Sequence, residues 1–149
     1  MLRILLYLWA LPVTLPGMLV AFIARGSGGT LLRVDGVLEA AGGWPAWVLR
    51  RGLPFSGAVA AITLGHVVVG VSLDALTLTR AHERAHVRQF ERWGVLLLLL
   101  YPLAGLLAWA RGGHPYYDNL FEREARAAAA TVPEKTIRPG SAGAHSIGR

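Results

Sequence analysis

The sequence predicts an α+β fold in which a small antiparallel sheet leads into a helix that carries two histidines. A β-branched run, Val67–Val71, is typical of a strand just upstream of that helix. His82 and His86 are four residues apart and begin an apolar face at helical spacing. Two apolar stretches, 2–24 and 95–110, predict a membrane segment and an apolar helical hairpin.

The composition is typical of a membrane-associated chain. The 149 residues are 54% hydrophobic and only 16% charged, with a mean hydropathy of +0.45, which is too apolar for an ordinary soluble domain. The net charge is +6, and all but one of the fifteen basic residues are arginine. Because no nucleic-acid-binding motif accompanies this excess, it predicts contact with anionic lipid headgroups and not with nucleic acid. The chain has no cysteine, so any metal must bind histidine and carboxylate.

The first 25 residues are predicted to form a retained membrane segment, long enough as a helix to cross about 30 Å of hydrocarbon. Pro12 and Pro16 are expected to kink this segment or to turn it back as a hairpin. A cleaved signal peptide is the competing interpretation, but no convincing small-residue cleavage site precedes Arg25. Arg25 and Arg33 follow the segment, which favours a cell-membrane location with the active site at the cytoplasmic face.

Short strands punctuated by glycine are predicted between the membrane segment and the histidine helix. They form a small antiparallel sheet, and an edge strand beside the helix is expected to hold a peptide substrate by strand addition. His66 lies at a turn without a partner at ligand spacing, so it is interpreted as a solvated turn residue. The predicted strands are Leu31–Ala40, Ala46–Arg50, Phe55–Leu64 and Val67–Leu73.

The histidine helix is expected to span Thr79–Trp93, with Thr77 or Thr79 as its N-cap. One of its faces carries arginines at strict four-residue spacing. This stripe is either a solvated face or a contact with lipid phosphates. Its members are Arg80, Arg84, Arg88 and Arg92.

His82-Glu83-Arg84-Ala85-His86 is an H-E-x-x-H sequence, which carries a mechanism when it lies on a helix. The two histidines share a face and can bind one Zn²⁺, the predicted cofactor, while a catalytic zinc site keeps one position open for water. Glu83 can then take a proton from that water as general base. The competing interpretation is a solvated helix with two unrelated histidines. The third ligand must come from elsewhere, and Glu122 and Glu124 are the candidates.

The second apolar segment, Val95–Ala110, has 16 residues and a central proline. If it crossed a bilayer, His86 and the candidate ligands after it would emerge on opposite sides. We therefore expect an enter-and-return hairpin that turns near Pro102–Gly105. With this hairpin included, the domain is predicted to span residues 30–131.

Arg111–Asp118 is predicted to be a loop, after which Asn119 opens a helix from Leu120 to about Thr131. From residue 132 to residue 149 the composition predicts a disordered tail, which includes His145.

A glutamate-bearing helix after an H-E-x-x-H helix resembles the gluzincin clan of zinc metallopeptidases, whose third ligand is a glutamate on a second helix. In that clan the glutamate is commonly followed by alanine at the third position and by aspartate or asparagine at the fourth. Glu122, 36 residues after His86, matches with Ala125, whereas Arg126 departs from the pattern. The resemblance covers about residues 60–130, extends to a group of small bacterial membrane-associated proteins, and implies a zincin-like domain with Glu122 as third ligand.

Glu122 also has a structural interpretation. Asn119 and Glu122 are spaced as a capping box, in which the carboxylate reaches back to the Asn119 amide. Glu124 is the reserve ligand, but it points about 200° around the helix from Glu122, so both cannot bind one ion.

Three residues before this helix are candidate donors to the oxyanion of a tetrahedral intermediate. They are Tyr116, Tyr117 and His114. Aromatic packing at a membrane interface is the alternative.

These features together predict a membrane-associated zinc metallopeptidase that hydrolyses a peptide or protein substrate with zinc-activated water. The alternative is a membrane protein that binds metal, or serves a structural role, without turnover.

Overall fold

The computed structural model describes residues 2–52 and 57–131, and side chains from residue 4 onward. It confirms an α+β architecture with a small sheet. The elements in chain order are α1 (Leu2–Gly26), β1 (Thr30–Val34), β2 (Val37–Ala41), α2 (Gly43–Arg51), β3 (Ala61–Leu64), β4 (Val67–Gly70), α3 (Leu73–Trp93), a 3₁₀ turn (Gly94–Leu96), α4 (Leu97–Ala110) and α5 (Leu120–Ala130).

The sheet is mixed, so the expectation of a wholly antiparallel sheet is wrong. Its order is β1-β2-β4-β3, with two antiparallel hairpins whose inner strands, β2 and β4, run parallel. Leu38 pairs with Val67 and Ala40 with Val69 across this central pair. The parallel pairing arises because β3 begins level with the end of β2, with one strand position between them, and runs back, after which β4 returns in that position in the direction of β2.

The crossover helix α2 replaces the strand expected at Ala46–Arg50. Its buried residues, Pro45, Ala46 and Leu49, follow helical spacing. Pro45 lies in the first turn, where a missing N–H removes no helix hydrogen bond. The segment was too short for periodicity alone to separate helix from strand.

Helix α1 packs across the sheet as one continuous helix, so the expected hairpin at its prolines is wrong. One face consists of small residues, including Ala10, Ala21 and Ala24, which are fully buried. The helix approaches β3 closely at Gly17, where an added Cβ would lie 2.8 Å from the Leu64 carbonyl oxygen. Ala21 and Ala24 share a hydrophobic core with residues of the sheet, so α1 is part of the packed domain.

Helix α3 begins six residues earlier than expected, directly after β4. Its N-cap is Ser72, whose hydroxyl oxygen accepts a hydrogen bond from the Ala75 amide at 3.1 Å. The predicted caps, Thr77 and Thr79, lie inside the helix and donate to the carbonyl oxygens four residues earlier.

The chain reverses at Gly94 and not at Pro102–Gly105, where the hairpin was predicted. The rings of His86 and Tyr101 lie 6.4 Å apart, whereas 15 residues of straight helix would separate them by about 22 Å. Gly94 is buried and has φ +56°, a conformation that L side chains rarely adopt. Pro102 lies within α4, so this apolar segment is one arm of a helical pair whose other arm is α3.

Two helical runs, Ile4–Gly26 and Leu73–Ala110, are long and apolar enough to cross a membrane by length and composition. The second run includes the reversal at Gly94, and the 14 residues of α4 alone would span about 21 Å. Both α1 and α4 expose many leucines, such as Leu8 at 58% and Leu99 at 65%.

The arginine stripe of α3 divides into two halves. Arg80 donates two hydrogen bonds to the buried carboxylate of Glu39, at 3.0 and 2.9 Å, and Arg84 donates another at 3.1 Å. These two arginines are internal ion-pair partners, whereas Arg88 and Arg92 are exposed.

His66 is buried, with 4% of its surface exposed, so its interpretation as a solvated turn residue is wrong. Its ring stacks on Tyr7 of α1 at 4.0 Å, and its Nε2 lies 3.1 Å from Glu91 Oε1. The turn is covered because α1 packs over the β3–β4 hairpin.

Helix α5 begins where the sequence predicts. The Asn119 side chain accepts a hydrogen bond from the Phe121 amide at 3.0 Å, which makes it the N-cap. The predicted tail, 132–149, and the start of the predicted strand at Phe55 lie outside the described residues.

Candidate metal centre

Three predicted ligands from two helices converge at one point. His82 and His86 lie on one face of α3, and their Nε2 atoms are 3.1 Å apart. Helix α5 packs against α3 and places Glu122 Oε1 3.2 Å from His86 Nε2 and Oε2 3.4 Å from His82 Nε2. With a single carboxylate oxygen chosen, the three ligand atoms lie within 4.8 Å of one another. The group could hold a metal ion.

The spacing of these atoms approaches that around a tetrahedral ion. Bonds of about 2.0–2.1 Å from a tetrahedral ion place neighbouring ligand atoms about 3.3–3.4 Å apart. The histidine Nε2 atoms, 3.1 Å apart, and the pair His86 Nε2–Glu122 Oε1, at 3.2 Å, are close to that edge length, whereas the 3.4 Å contact of His82 is with the other carboxylate oxygen, Oε2. Glu122 Oε2 is fully buried and accepts no hydrogen bond from the described residues, which is the condition that a cation would relieve.

Gln89 fixes the orientation of the His86 ring. Its Nε2 faces two acceptors, the Phe121 carbonyl oxygen at 3.0 Å and Glu124 Oε2 at 2.9 Å. The amide oxygen must therefore face His86, whose Nδ1 lies 2.9 Å away and acts as the donor. A neutral His86 with its proton on Nδ1 carries its lone pair on Nε2, as a metal ligand requires.

The carboxylate of Glu122 is held in its charged form. Burial alone would raise its pKa, but contacts with His82, His86 and Tyr101 outweigh burial and hold the pKa of Glu122 well below its usual range. Tyr101, on α4, donates its hydroxyl hydrogen bond to Glu122 Oε1 at 2.7 Å. No role for Tyr101 was predicted, because the sequence shows it only as a hydroxyl that follows a run of leucines.

Glu83 lines the same cavity as the three ligands and is 5% exposed. Thr63 on β3 donates a hydrogen bond to its Oε2 at 2.7 Å. Among the described residues no donor binds Oε1, so this oxygen is free to accept a proton from a molecule in the cavity. Thr63 could not be found from sequence, because it meets Glu83 only through the packing of β3 on α3.

The structure distinguishes the roles predicted for Glu122 and Glu124. The Asn119 amide donates to the Tyr116 carbonyl oxygen at 3.2 Å, so the capping box with Glu122 does not form. Glu124 is exposed and contacts Gln89, away from the ligand group.

The three candidate oxyanion donors occupy different positions. Tyr116 lines the cavity, and burial together with the negative charge of Glu122 raises the pKa of Tyr116 to about 12. Tyr117 is 62% exposed and His114 is outside the cavity lining. The His114 ring instead accepts backbone hydrogen bonds from Tyr116 and Tyr117.

Arg126 lies beside the candidate centre, four residues after Glu122. Its Nη1 is 3.8 Å from Glu122 Oε2, and its Nη2 donates to the Tyr117 carbonyl oxygen. Its positive charge competes with a bound cation for the same carboxylate.

No protein-family model, no curated protein and no solved structure matches the chain. The class is therefore defined by what the fold and the site contain: an α+β chain with two apolar helical runs and a His₂Glu group that could hold a metal ion.

Proposed function

We propose that this chain is a membrane-associated zinc metallopeptidase that hydrolyses peptide bonds. The observation that carries the proposal is the convergence of His82, His86 and Glu122, whose ligand atoms lie within 4.8 Å of one another, with Glu83 in the same cavity. Two imidazoles and one carboxylate form a donor set that suits zinc. Three protein ligands leave the fourth position of a tetrahedral zinc site open for water.

In this proposal a bound zinc ion supplies Lewis acidity and lowers the pKa of the attacking water. Glu83 accepts the proton of that water at Oε1 and delivers it to the leaving nitrogen, while Thr63 holds Oε2 in place. Tyr116 stays protonated near neutral pH because its pKa is raised to about 12. Its hydroxyl is therefore available to donate to the developing oxyanion.

We further propose that the protein resides in the cell membrane with the site at the cytoplasmic face. Arg25 and Arg33 follow the first apolar helix, and positive charge after a membrane segment favours the cytoplasm. The exposed Arg88 and Arg92 are available to contact anionic lipid headgroups.

A quenched fluorescent peptide assay on detergent-purified protein tests the activity. We expect a chelator to abolish cleavage and added Zn²⁺ to restore it. Glu83→Gln is expected to lower turnover about 10²–10⁴-fold, the typical contribution of a general base, without loss of metal. Glu124→Gln is the matched carboxylate control and should retain activity.

A metal-binding membrane protein without turnover is the second candidate, and Arg126 is the observation that favours it. The charge of Arg126 lies where the gluzincin pattern has aspartate or asparagine, and it opposes cation binding. If the zinc-loaded parent cleaves no member of a diverse peptide set while zinc binding persists, this second candidate replaces the peptidase.

A further inference from the structure

The cavity at the candidate centre has two apolar walls. Its volume is about 750 Å³, within the range of ligand-binding clefts. One wall belongs to α4 and the other to β3 and the residues before it. The principal apolar lining residues are Leu98, Leu106 and Trp109 on α4 and Val59, Ile62 and Leu64 on the strand side.

Outside the proposed catalytic centre, the lining offers no partner to a charged substrate side chain. Among the described residues, no lysine, arginine or aspartate lines the cavity. Its two carboxylates both belong to the proposed catalytic centre, Glu122 as a metal ligand and Glu83, held by Thr63, as the general base. A charged side chain would lose its hydration here without gaining a partner, which is strongly unfavourable.

The strand wall can align an extended chain. β3 is at the edge of the sheet, and its outer side pairs with no other strand in the described part of the chain. An extended peptide can therefore add to this edge through main-chain hydrogen bonds. Because Thr63 of β3 binds Glu83 at 2.7 Å, a chain that follows this edge passes the candidate general base.

The cavity opens at the apolar outer surface of the molecule. Leu106 and Trp109 line it and are still 57% and 65% exposed. Leu99, Leu103 and Leu107, elsewhere on α4, are also exposed and lie outside the lining. The same helix thus forms both the apolar exterior and one wall of the cavity, so an apolar chain reaches the metal group along continuous hydrocarbon.

We propose that the substrate is an extended apolar peptide segment, which lies along the edge of β3 and places its apolar side chains against α4. This inference rests on the proposed peptidase function and specifies its substrate class. Specificity arises from burial on the α4 wall together with the penalty for charge in the cavity.

Binding of a labelled peptide to the Glu83→Gln variant, followed by fluorescence anisotropy, tests the inference without hydrolysis. One peptide is a ten-residue sequence of Ala, Leu, Val and Phe. Its matched partner has four of the apolar residues replaced by alternating Lys and Asp. We expect the apolar peptide to bind at least about tenfold more tightly.

The wall is tested in the same Glu83→Gln background with a pair of neighbouring substitutions on α4. Leu106→Gln changes a lining residue, and Leu107→Gln changes a residue of similar exposure, 49%, outside the lining. Both variants experience the same detergent, so peptide partition into micelles cancels. Leu106→Gln should weaken apolar-peptide binding about tenfold, and Leu107→Gln less than twofold.

Equal binding of the two peptides, or equal effects of the two substitutions, overturns the inference. The parent enzyme is assayed with both peptides so that the two proposals fail separately. Apolar binding without cleavage refutes the peptidase and leaves the apolar-segment site standing. Cleavage of the charged peptide at least as fast as the apolar one refutes the substrate class and leaves the peptidase standing.

Discussion

At the scale of single residues, the candidate centre combines what local spacing encodes with what tertiary packing adds. His82 and His86 were predictable, because a four-residue spacing on a helix fixes their common face. Gln89 lies on that same face, but its role was not predictable. It depends on the Phe121 carbonyl and Glu124, which α5 brings from more than 30 residues away. The contacts of Tyr101 and Thr63 were hidden for the same reason.

The role assigned to Gln89 predicts a loss of metal affinity in Gln89→Leu. Leucine fills a similar volume but leaves His86 Nδ1 without its acceptor, so the ring is no longer held in the ligating tautomer. We expect zinc affinity to fall about 10–100-fold, as measured by competition with a chelating dye.

Glu124→Gln is the control for this change, because a glutamine at that position can still accept from Gln89. It should alter zinc affinity little. Unchanged affinity in Gln89→Leu would refute the positioning role, since the ring would then be held by other contacts.

At the scale of elements, the predicted end of a helix or position of a turn was correct where a local side chain determines it. It was wrong where packing against other elements determines it. Asn119 caps α5 as expected because its side chain reaches its own helix. The reversal at Gly94 was missed. The central proline of the apolar segment led us to predict the turn near Pro102. The observed turn instead requires a buried residue with positive φ that packs against Trp9, and Gly94 meets this requirement. The parallel pairing of β2 with β4 was missed because it depends on the placement of β3, which starts level with the end of β2 and leaves room for β4 between them.

The packing of α1 on the sheet predicts that Gly17→Ala destabilises the protein. The added methyl group would lie 2.8 Å from the Leu64 carbonyl oxygen and 2.9 Å from its Cβ. We expect a loss of about 1–3 kcal/mol, measured by thermal unfolding in detergent, even though alanine favours a helix over glycine.

Gly26→Ala is the matched change on the same helix, since an added Cβ there meets nothing within 4 Å. It should alter stability by no more than about 0.5 kcal/mol. Indistinguishable unfolding of the two variants would contradict the packing of α1 on the sheet.

At the scale of the whole molecule, an apolar exterior surrounds a polar cluster that two helices build together. The contact between His86 and Glu122 requires the chain to return to the same side after α4. This return was predicted from the ligand geometry, although the predicted turn lies eight to eleven residues after the observed reversal at Gly94. The membrane itself was inferred from composition, and the exposed leucines of α1 and α4 are consistent with it.

The return of the chain predicts the result of cysteine labelling in intact vesicles. The native chain has no cysteine, so Arg92→Cys and Arg123→Cys can each be labelled without background. These exposed positions lie before and after α4. A membrane-impermeant thiol reagent should label both from the same side. Labelling from opposite sides would mean that α4 crosses the bilayer, which the contact between α3 and α5 does not permit.

The central claim is that His82, His86 and Glu122 bind one zinc ion, and metal content of the purified variants by mass spectrometry tests it most directly. We expect about one zinc per chain in the parent and in Glu83→Gln and Glu124→Gln, because neither glutamate is a ligand. Zinc should be lost in His82→Ala and His86→Ala and sharply reduced in Glu122→Gln. Equal zinc in His86→Ala and the parent would contradict the site. Loss in Glu124→Gln with retention in Glu122→Gln would transfer the third ligand to Glu124.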